Sequence, residues 1–238
     1  MTTPGKNEKD NGRRGFLGSL ATGAAVLGLS TIASPLSLKA GDIPLPNFES
    51  NTNMDPDEWF NKVSGKHRVV FDAPRPHEIM PFAWPRVFLL TNMATGSTEK
   101  DCGVVVVLRH DAIPYAMEDS LWAKYKFGEV FKADDPETGK PSLRNPFWKP
   151  KEGAFKIPGF GTVSIGINEL QASGVMFCVC DAAMTVYSAA LASGAGKSAA
   201  EVKKEWVDGI LPGIQAVPSG VWALGRAQEK KCAYIYAG

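Results

Sequence analysis

Cys102-Gly103-Val104-Val105-Val106-Val107-Leu108 is an unbroken apolar run in which β-branched valine predominates. A strand of this composition is typically buried on both faces, as in a parallel sheet that carries helices on each side. The run Val175-Met176-Phe177-Cys178-Val179-Cys180 has the same character. These two stretches predict the centre of an α/β fold.

Extended and helical patterns alternate along the rest of the chain. We predict further strands over residues 67–72, 213–217 and 233–236, where β-branched or aromatic residues cluster. The predicted helices cover residues 56–60, 79–93, 116–131, 163–172, 182–193, 198–207 and 220–229. Because strand and helix alternate, we expect right-handed crossovers and a mostly parallel open sheet flanked by helices, a flavodoxin- or Rossmann-like three-layer sandwich.

The first forty residues have the pattern of a twin-arginine export signal. Arg13-Arg14 follows a polar start and precedes Phe16-Leu17 and a weakly apolar run of Gly, Ala, Leu and Val. We therefore predict a signal peptide over residues 1–40, export to the periplasm and no membrane association after cleavage, with retention as an anchor as the alternative. The remaining chain divides into a linker with the short helix (41–66) and an α/β domain (67–238).

Composition and motifs narrow the class of protein. Of the 238 residues, 44% are hydrophobic and 21% are charged, which excludes a chain that is disordered throughout. The net charge of +1 provides no basic field, so nucleic acid is not an expected partner. No glycine-rich phosphate loop follows a predicted strand, and Cys178 and Cys180 have no second Cys/His pair at metal-site spacing. Neither a cofactor nor a metal is predicted.

Several chemically capable residues lie where predicted strands end, which is where ligands bind in open α/β sheets. They are Asp72, Arg109-His110-Asp111, Cys180-Asp181 and Ser219. Cys180 precedes a helix whose N-terminal amides favour a thiolate, so it is the candidate nucleophile; a buried inert thiol is the alternative. His110 is the candidate acid, base or ligand and Arg109 the candidate anion contact, unless Asp111 and a carbonyl merely satisfy His110. The predicted ligand contacts are Asp111, Asp181, Ser219 and Trp148. We expect Asp181 to cap the helix that follows it.

A proline-rich insertion over residues 134–162 interrupts the alternation of strand and helix. It contains five prolines and the aromatic residues Phe147, Trp148, Phe155 and Phe160. Prolines stiffen a loop by lowering its entropy when unfolded, so we expect an ordered lid over the cavity at the strand ends. Packing against a neighbouring subunit is the alternative. We also expect self-association, because Trp122, Tyr125 and Phe127 on an apolar helix, with Phe147 and Trp148 in the insertion, offer more aromatic surface than one sheet face can cover.

Three stretches of the C-terminal third carry a family pattern: Leu170-Gln171-Ala172-Ser173-Gly174-Val175-Met176-Phe177 with Cys180, Leu211-Pro212-Gly213-Ile214-Gln215-Ala216-Val217-Pro218-Ser219-Gly220-Val221, and Tyr234-Ile235. This pattern resembles that of the DsrE/DsrF-like family of sulfur-relay proteins. The resemblance covers residues 163–236, and the earlier strands match only in order and hydrophobicity. The insertion, the export signal and Arg109-His110-Asp111 depart from the small cytoplasmic members.

The resemblance implies a small α/β sandwich that assembles into trimers or hexamers and exchanges sulfur with a donor or acceptor protein. Some members carry a persulfide on a cysteine after a central strand, and Cys180 occupies the matching place. We therefore expect an exported DsrE-like protein that handles sulfur at Cys180. The alternative is a non-catalytic module of the same fold that binds a small ligand or a partner chain, so catalysis itself is left open.

Overall fold

Five parallel strands form the central sheet of the structure, a computed structural model that describes residues 54–238 together with Phe48, Ser50 and Thr52. In chain order the strands are β1 (His67–Ala73), β2 (Cys102–Leu108), β3 (Lys156–Ile157), β4 (Gly161–Thr162), β5 (Met176–Cys180), β6 (Ile214–Val217) and β7 (Ala233–Tyr236). The central sheet has the order β6-β5-β2-β1-β7, and β3 and β4 form a separate antiparallel hairpin. The predicted signal peptide, residues 1–40, lies outside the described residues.

Helices cover both faces of this sheet. They are α1 (Pro56–Phe60), α2 (Met80–Ala94), α3 (Asp119–Tyr125), α4 (Phe127–Val130), α5 (Ile167–Ala172), α6 (Asp181–Ala195), α7 (Ala199–Asp208) and α8 (Gly220–Glu229), with 3₁₀-helices at Glu99–Asp101 and His110–Ala116. The α/β class and the mostly parallel open sheet are therefore confirmed. None of the helices in the described part of the chain is long and apolar enough to cross a membrane.

β2 lies at the centre of the sheet because all seven of its residues are apolar or glycine and all are buried. Val105 and Val107 face the side of the sheet that α1 and α8 cover. Val104 and Val106 face the larger core on the other side, which includes buried residues of α2, α3, α6 and α7. Burial on both faces explains why the sequence of β2 does not alternate.

The helix predicted over residues 116–131 is broken in the structure. Lys126 has φ +51°, a left-handed conformation that ends α3 and starts α4 in a new direction. The break brings Phe127 into the core, where its ring centre lies 5.0 Å from that of Trp206 on α7. Burial of Phe127 thus overrides the continuous helical pattern.

The insertion over residues 134–162 packs into the larger core. Phe147 is fully buried, and its ring stacks on Phe82 of α2 with centres 4.1 Å apart. The Asn145 side-chain amide donates to the carbonyls of Tyr115 and Met117 at 2.8 and 3.0 Å. These contacts make the insertion part of the fold rather than a mobile loop.

Candidate functional site

A cavity of about 310 Å³ lies at the carboxyl ends of the central strands. Its walls are formed by Arg109, His110, Cys180, Ala182, Ala183, Val186, Tyr187, Ser219, Gly220 and Val221. The structure therefore brings together four of the predicted site residues, which come from the segments after β2, β5 and β6. This arrangement follows from the parallel sheet, because parallel strands end at the same edge.

Cys180 joins β5 to α6 and serves as the N-cap of that helix. Its Sγ accepts a hydrogen bond from the backbone N–H of Ala183 at 3.3 Å. The prediction that Asp181 caps the helix is wrong, because Asp181 is already its first residue. An amide at a helix N-terminus stabilises a thiolate more than a neutral thiol, since the helix dipole adds to the hydrogen bond. The Cys180 sulfur therefore borders the cavity at the N-terminus of α6.

All four cysteines are buried, but only Cys180 lines the cavity. Burial raises the pKa of the Cys102, Cys178 and Cys232 thiols, since an apolar surrounding disfavours the charged thiolate. These three side chains belong to the apolar core on the two faces of the sheet.

Arg109 is held in the cavity wall by Asp72. Nε donates to Oδ1 at 2.6 Å and Nη2 to Oδ2 at 2.9 Å, and the Tyr234 hydroxyl donates to Oδ2 at 2.7 Å. Asp72 is buried, so its negative charge needs these donors. The hydrogen bonds to Asp72 raise the pKa of Arg109, and attraction to the charged form of Cys180 raises it further. Arg109 thus stands within electrostatic reach of the sulfur.

Gly220 makes room for Arg109 at the start of α8. A Cβ atom at position 220 would lie 2.4 Å from Cβ and 2.8 Å from Cδ of Arg109, closer than atoms can approach. Only glycine fits there while Arg109 keeps its position. Ser219, next to Gly220, caps α8: its hydroxyl oxygen accepts a hydrogen bond from the Trp222 N–H at 3.2 Å and so stabilises the start of the helix.

His110 sits at the rim of the cavity in a constrained backbone. Its φ is +49°, a value uncommon for a residue with a side chain, and the bonds from Arg109 N–H to Ala73 O (3.0 Å) and from Asp111 N–H to Pro74 O (2.9 Å) hold the loop on each side. Nδ1 of His110 lies 3.0 Å from Oδ1 of Asp111. The same nitrogen lies 3.5 Å from the Tyr187 hydroxyl, so Asp111 and Tyr187 together position the imidazole ring.

Tyr187 is a site residue that the sequence analysis missed. Its hydroxyl donates to Oδ1 of Asp111, and its ring lies edge-on to that of His110 with centres 5.8 Å apart. Burial first, and then the hydrogen bond to Asp111, raise the pKa of Tyr187, so the phenol stays neutral and remains a donor. Tyr187 lies four residues after Ala183 on one face of α6, and this spacing was the available signal.

Of the four predicted ligand contacts, only Ser219 lines the cavity: Asp111 lies behind His110 and Tyr187, and Asp181 and Trp148 contact other parts of the chain. Asp181 is buried and forms an ion pair with Lys203 of α7 at 3.0 Å, so its charge is offset. Trp148 packs partly buried against the larger core, with Nζ of Lys149 5.2 Å from its ring centre. No residue of the insertion 134–162 lines the cavity, so the lid prediction is wrong: Phe147 stacks on Phe82 of α2 instead, and Phe155 stacks on Phe147.

The described residues contain no group of three or more His, Cys, Asp or Glu side chains that could hold a metal ion. The polar side chains around the cavity are one thiol, one imidazole, one guanidinium, one phenol and the Ser219 hydroxyl. Such a set supports nucleophilic attack by sulfur, proton transfer and attraction of an anion.

Comparisons with known proteins give a weak structural similarity. No protein-family model matches the chain, and no curated protein matches it. A solved structure of a protein of unknown function from Methanobacterium thermoautotrophicum is similar over 71% of this chain and 98% of its own, with 19% sequence identity and a TM-score of 0.35. At this identity the similarity concerns the fold alone.

Proposed function

We propose that the chain is an exported, DsrE-like protein that carries sulfur as a persulfide on Cys180. The observation that supports this most is the position of Sγ, which caps α6 through the Ala183 amide and borders a cavity shared with Arg109 and His110. A sulfur that accepts a bond from a helix N-terminal amide and borders a cavity is in the setting in which cysteine nucleophiles occur.

The proposed step is a transfer of sulfane sulfur. The Cys180 thiolate attacks the outer sulfur of a donor persulfide, a new S–S bond forms on Cys180, and the donor S–S bond breaks to release the donor thiolate. Two electrons move with the bonds and no outside oxidant is needed. The donor is a persulfide on a small thiol or on a partner protein.

The groups around Cys180 have different roles in this step. Asp72 offsets much of the charge of Arg109, so the α6 amides contribute most to holding the thiolate and Arg109 orients the anionic group of the incoming donor. The largely exposed His110 imidazole takes up a proton from solvent and passes it to the departing thiolate, which returns the imidazole to its neutral form.

The remaining walls are apolar. Val186 and Val221 stand at the mouth of the cavity and are 55% and 68% exposed, and Ala182 and Ala183 lie deeper. Apolar walls limit the access of water to a persulfide, which protects it from side reactions. The same walls also favour the second candidate function, a non-catalytic module that binds a small apolar ligand in this cavity.

Persulfide transfer is tested by mass spectrometry of the intact chain after incubation with glutathione persulfide. We expect the mass of one added sulfur atom, lost on reduction and mapped to the peptide containing Cys180. Cys180→Ser should abolish the addition, and Cys178→Ser should leave it unchanged, because Cys178 is fully buried. If wild type gains no sulfur on Cys180 but still binds apolar ligands, the non-catalytic function holds instead.

Export is a separate part of the proposal. It rests on the sequence of residues 1–40, with Arg13-Arg14 at its centre. Replacing both arginines by lysine should keep the chain in the cytoplasm, while the wild type should reach the periplasm in a cell fractionation experiment. Periplasmic recovery of the double lysine variant would refute twin-arginine export.

A further inference from the structure

β7 is an open edge of the central sheet, with β1 as its one neighbour among the strands described. Tyr234, Ile235 and Tyr236 are 46%, 38% and 49% exposed. All four residues of β6 at the opposite edge are buried, and Thr52, in the segment before α1, donates to the Gln215 side chain there at 2.8 Å. Among the residues that the structure describes, the β6 edge is therefore buried and contacted by Thr52, whereas the β7 edge has no strand on its outer side.

The backbone of β7 offers hydrogen bonds on its outer side. The Ala237 N–H donates to the Asp72 carbonyl at 2.8 Å, so position 237 faces β1. Successive residues of a strand point their N–H and C=O groups to alternate sides, so those of Tyr234 and Tyr236 face away from β1. β7 contains no proline and no charged residue, the features that usually protect an edge from pairing.

We propose that β7 pairs antiparallel with β7 of a second copy of this chain, which joins the two central sheets into one. An outward row of alternating donors and acceptors is complementary to itself when turned about a two-fold axis. With the axis at Ile235, Tyr234 of one copy lies opposite Tyr236 of the other, and the two residues exchange both backbone hydrogen bonds.

The side chains on β7 favour pairing with a second copy of this chain over pairing with a different protein. Pairing places Tyr234 beside Tyr236 of the second copy, and aromatic cross-strand pairs of this kind stabilise antiparallel sheets. No like charges meet at the axis, since Ala233–Tyr236 is uncharged throughout. The Tyr234 hydroxyl keeps its bond to Asp72, because the strand pairs through its backbone.

Cross-linking tests the register directly. Ile235→Cys in the full chain places two cysteines at a non-hydrogen-bonded pair on the axis, where Cα atoms are about 4.5 Å apart and a disulfide can form. Tyr236→Cys is the matched control, because position 236 faces position 234 of the other copy. Under mild oxidation we expect Ile235→Cys to form a covalent dimer at least about tenfold faster than Tyr236→Cys. Equal rates, or no dimer from Ile235→Cys, would overturn the proposal.

Sedimentation equilibrium of the uncross-linked chain gives a second measurement. Tyr236→Lys adds a charge to the seam and should weaken dimerisation by about tenfold or more, since a buried ammonium lacks a partner there. Phe160→Lys is the control, because Phe160 is 77% exposed on the hairpin of β3 and β4. Circular dichroism verifies that both variants fold. A wild type that stays monomeric, or a dimer broken by Phe160→Lys but not by Tyr236→Lys, would contradict β7 pairing.

Discussion

Arg109 and Asp72 are joined by two hydrogen bonds, from Nε to Oδ1 at 2.6 Å and from Nη2 to Oδ2 at 2.9 Å, which tie the end of β2 to the end of β1. Asp72 does not line the cavity of Cys180, whereas Arg109 does. A buried carboxylate behind the site thus fixes the orientation of a guanidinium inside it. Substitutions behind the site should therefore affect both stability and chemistry.

Removing the charge of Asp72 should destabilise the fold. We expect Asp72→Asn to lower the free energy of unfolding by about 2 kcal/mol, because the amide is neutral and only one of its two ends accepts hydrogen bonds. Tyr234→Phe removes one neutral donor from the same carboxylate and should cost about 1 kcal/mol. Urea unfolding measures both values. A loss for Asp72→Asn no larger than that for Tyr234→Phe would show that the ion pair is not important for stability.

Gly220→Ala should slow sulfur chemistry without unfolding the chain. The new methyl group would collide with Arg109 and move the guanidinium out of the cavity wall. We expect the proposed loading of Cys180 with sulfur from an anionic donor to fall, because Arg109 no longer orients the donor. Gly225→Ala, in the same helix, is the control: a Cβ there meets no atom within 4 Å, so stability should rise by up to about 1 kcal/mol. Equal reaction rates in the two variants would argue against a role for Arg109.

The insertion should contribute to stability through Phe147. Phe147→Ala leaves a cavity beside Phe82 and should lower the free energy of unfolding by about 3–5 kcal/mol. Phe160→Ala, in the same insertion, should change it by less than about 0.5 kcal/mol, because the ring is 77% exposed. Thermal and urea unfolding give both values. Similar losses at the two positions would mean that the insertion does not pack as described.

Acid should weaken the contact between α3 and α7. Hydrogen bonds from Lys124, Lys197 and Tyr125 lower the pKa of Glu205 from 4.5 to about 2. A carboxyl group whose pKa is lowered in the folded state stabilises the fold at pH values above its ordinary pKa of 4.5. This contribution is lost as the pH falls from 4.5 towards 2.

Glu205→Gln should therefore flatten the pH dependence of stability in that window. Unfolding by urea at about pH 6 and about pH 3 measures the slope. Glu129→Gln is the control, because Glu129 is exposed and its carboxylate has no hydrogen-bond partner in the portion of the chain described. A slope unchanged in Glu205→Gln would show that solvent screens the network completely.

The sequence predicts the central sheet and much of the site for one physical reason. Unbroken apolar strands such as β2 have to be buried between helices, and parallel strands all end at one edge. Arg109, His110 and Cys180 follow two such strands, so their meeting is implied by chain order alone. The apolar pattern of each strand is local, so it locates these three residues without any information on distant contacts.

The errors concern residues whose roles depend on distant contacts. The aromatic residues of the insertion were predicted to form a lid over the cavity, but Phe147 stacks on Phe82 of α2, which is distant in the sequence. Trp148 was misplaced with it, and Asp181 faces Lys203 rather than a ligand. Tyr187 was missed because its role depends on a hydrogen bond to Asp111. The spacing of residues along α6 shows which face Tyr187 lies on but does not show this contact.

The strand order also sets a sequence of events during synthesis. β7 pairs with β1, although every other strand of the central sheet is made between them. Such long-range pairings form late, because a large loop has to close first. Until the ribosome has delivered residues 233–236, β1 presents its bare edge to neighbouring nascent chains. Arrested chains that stop before residue 233 should therefore aggregate more, in pulse-labelled lysates, than chains that extend past residue 237.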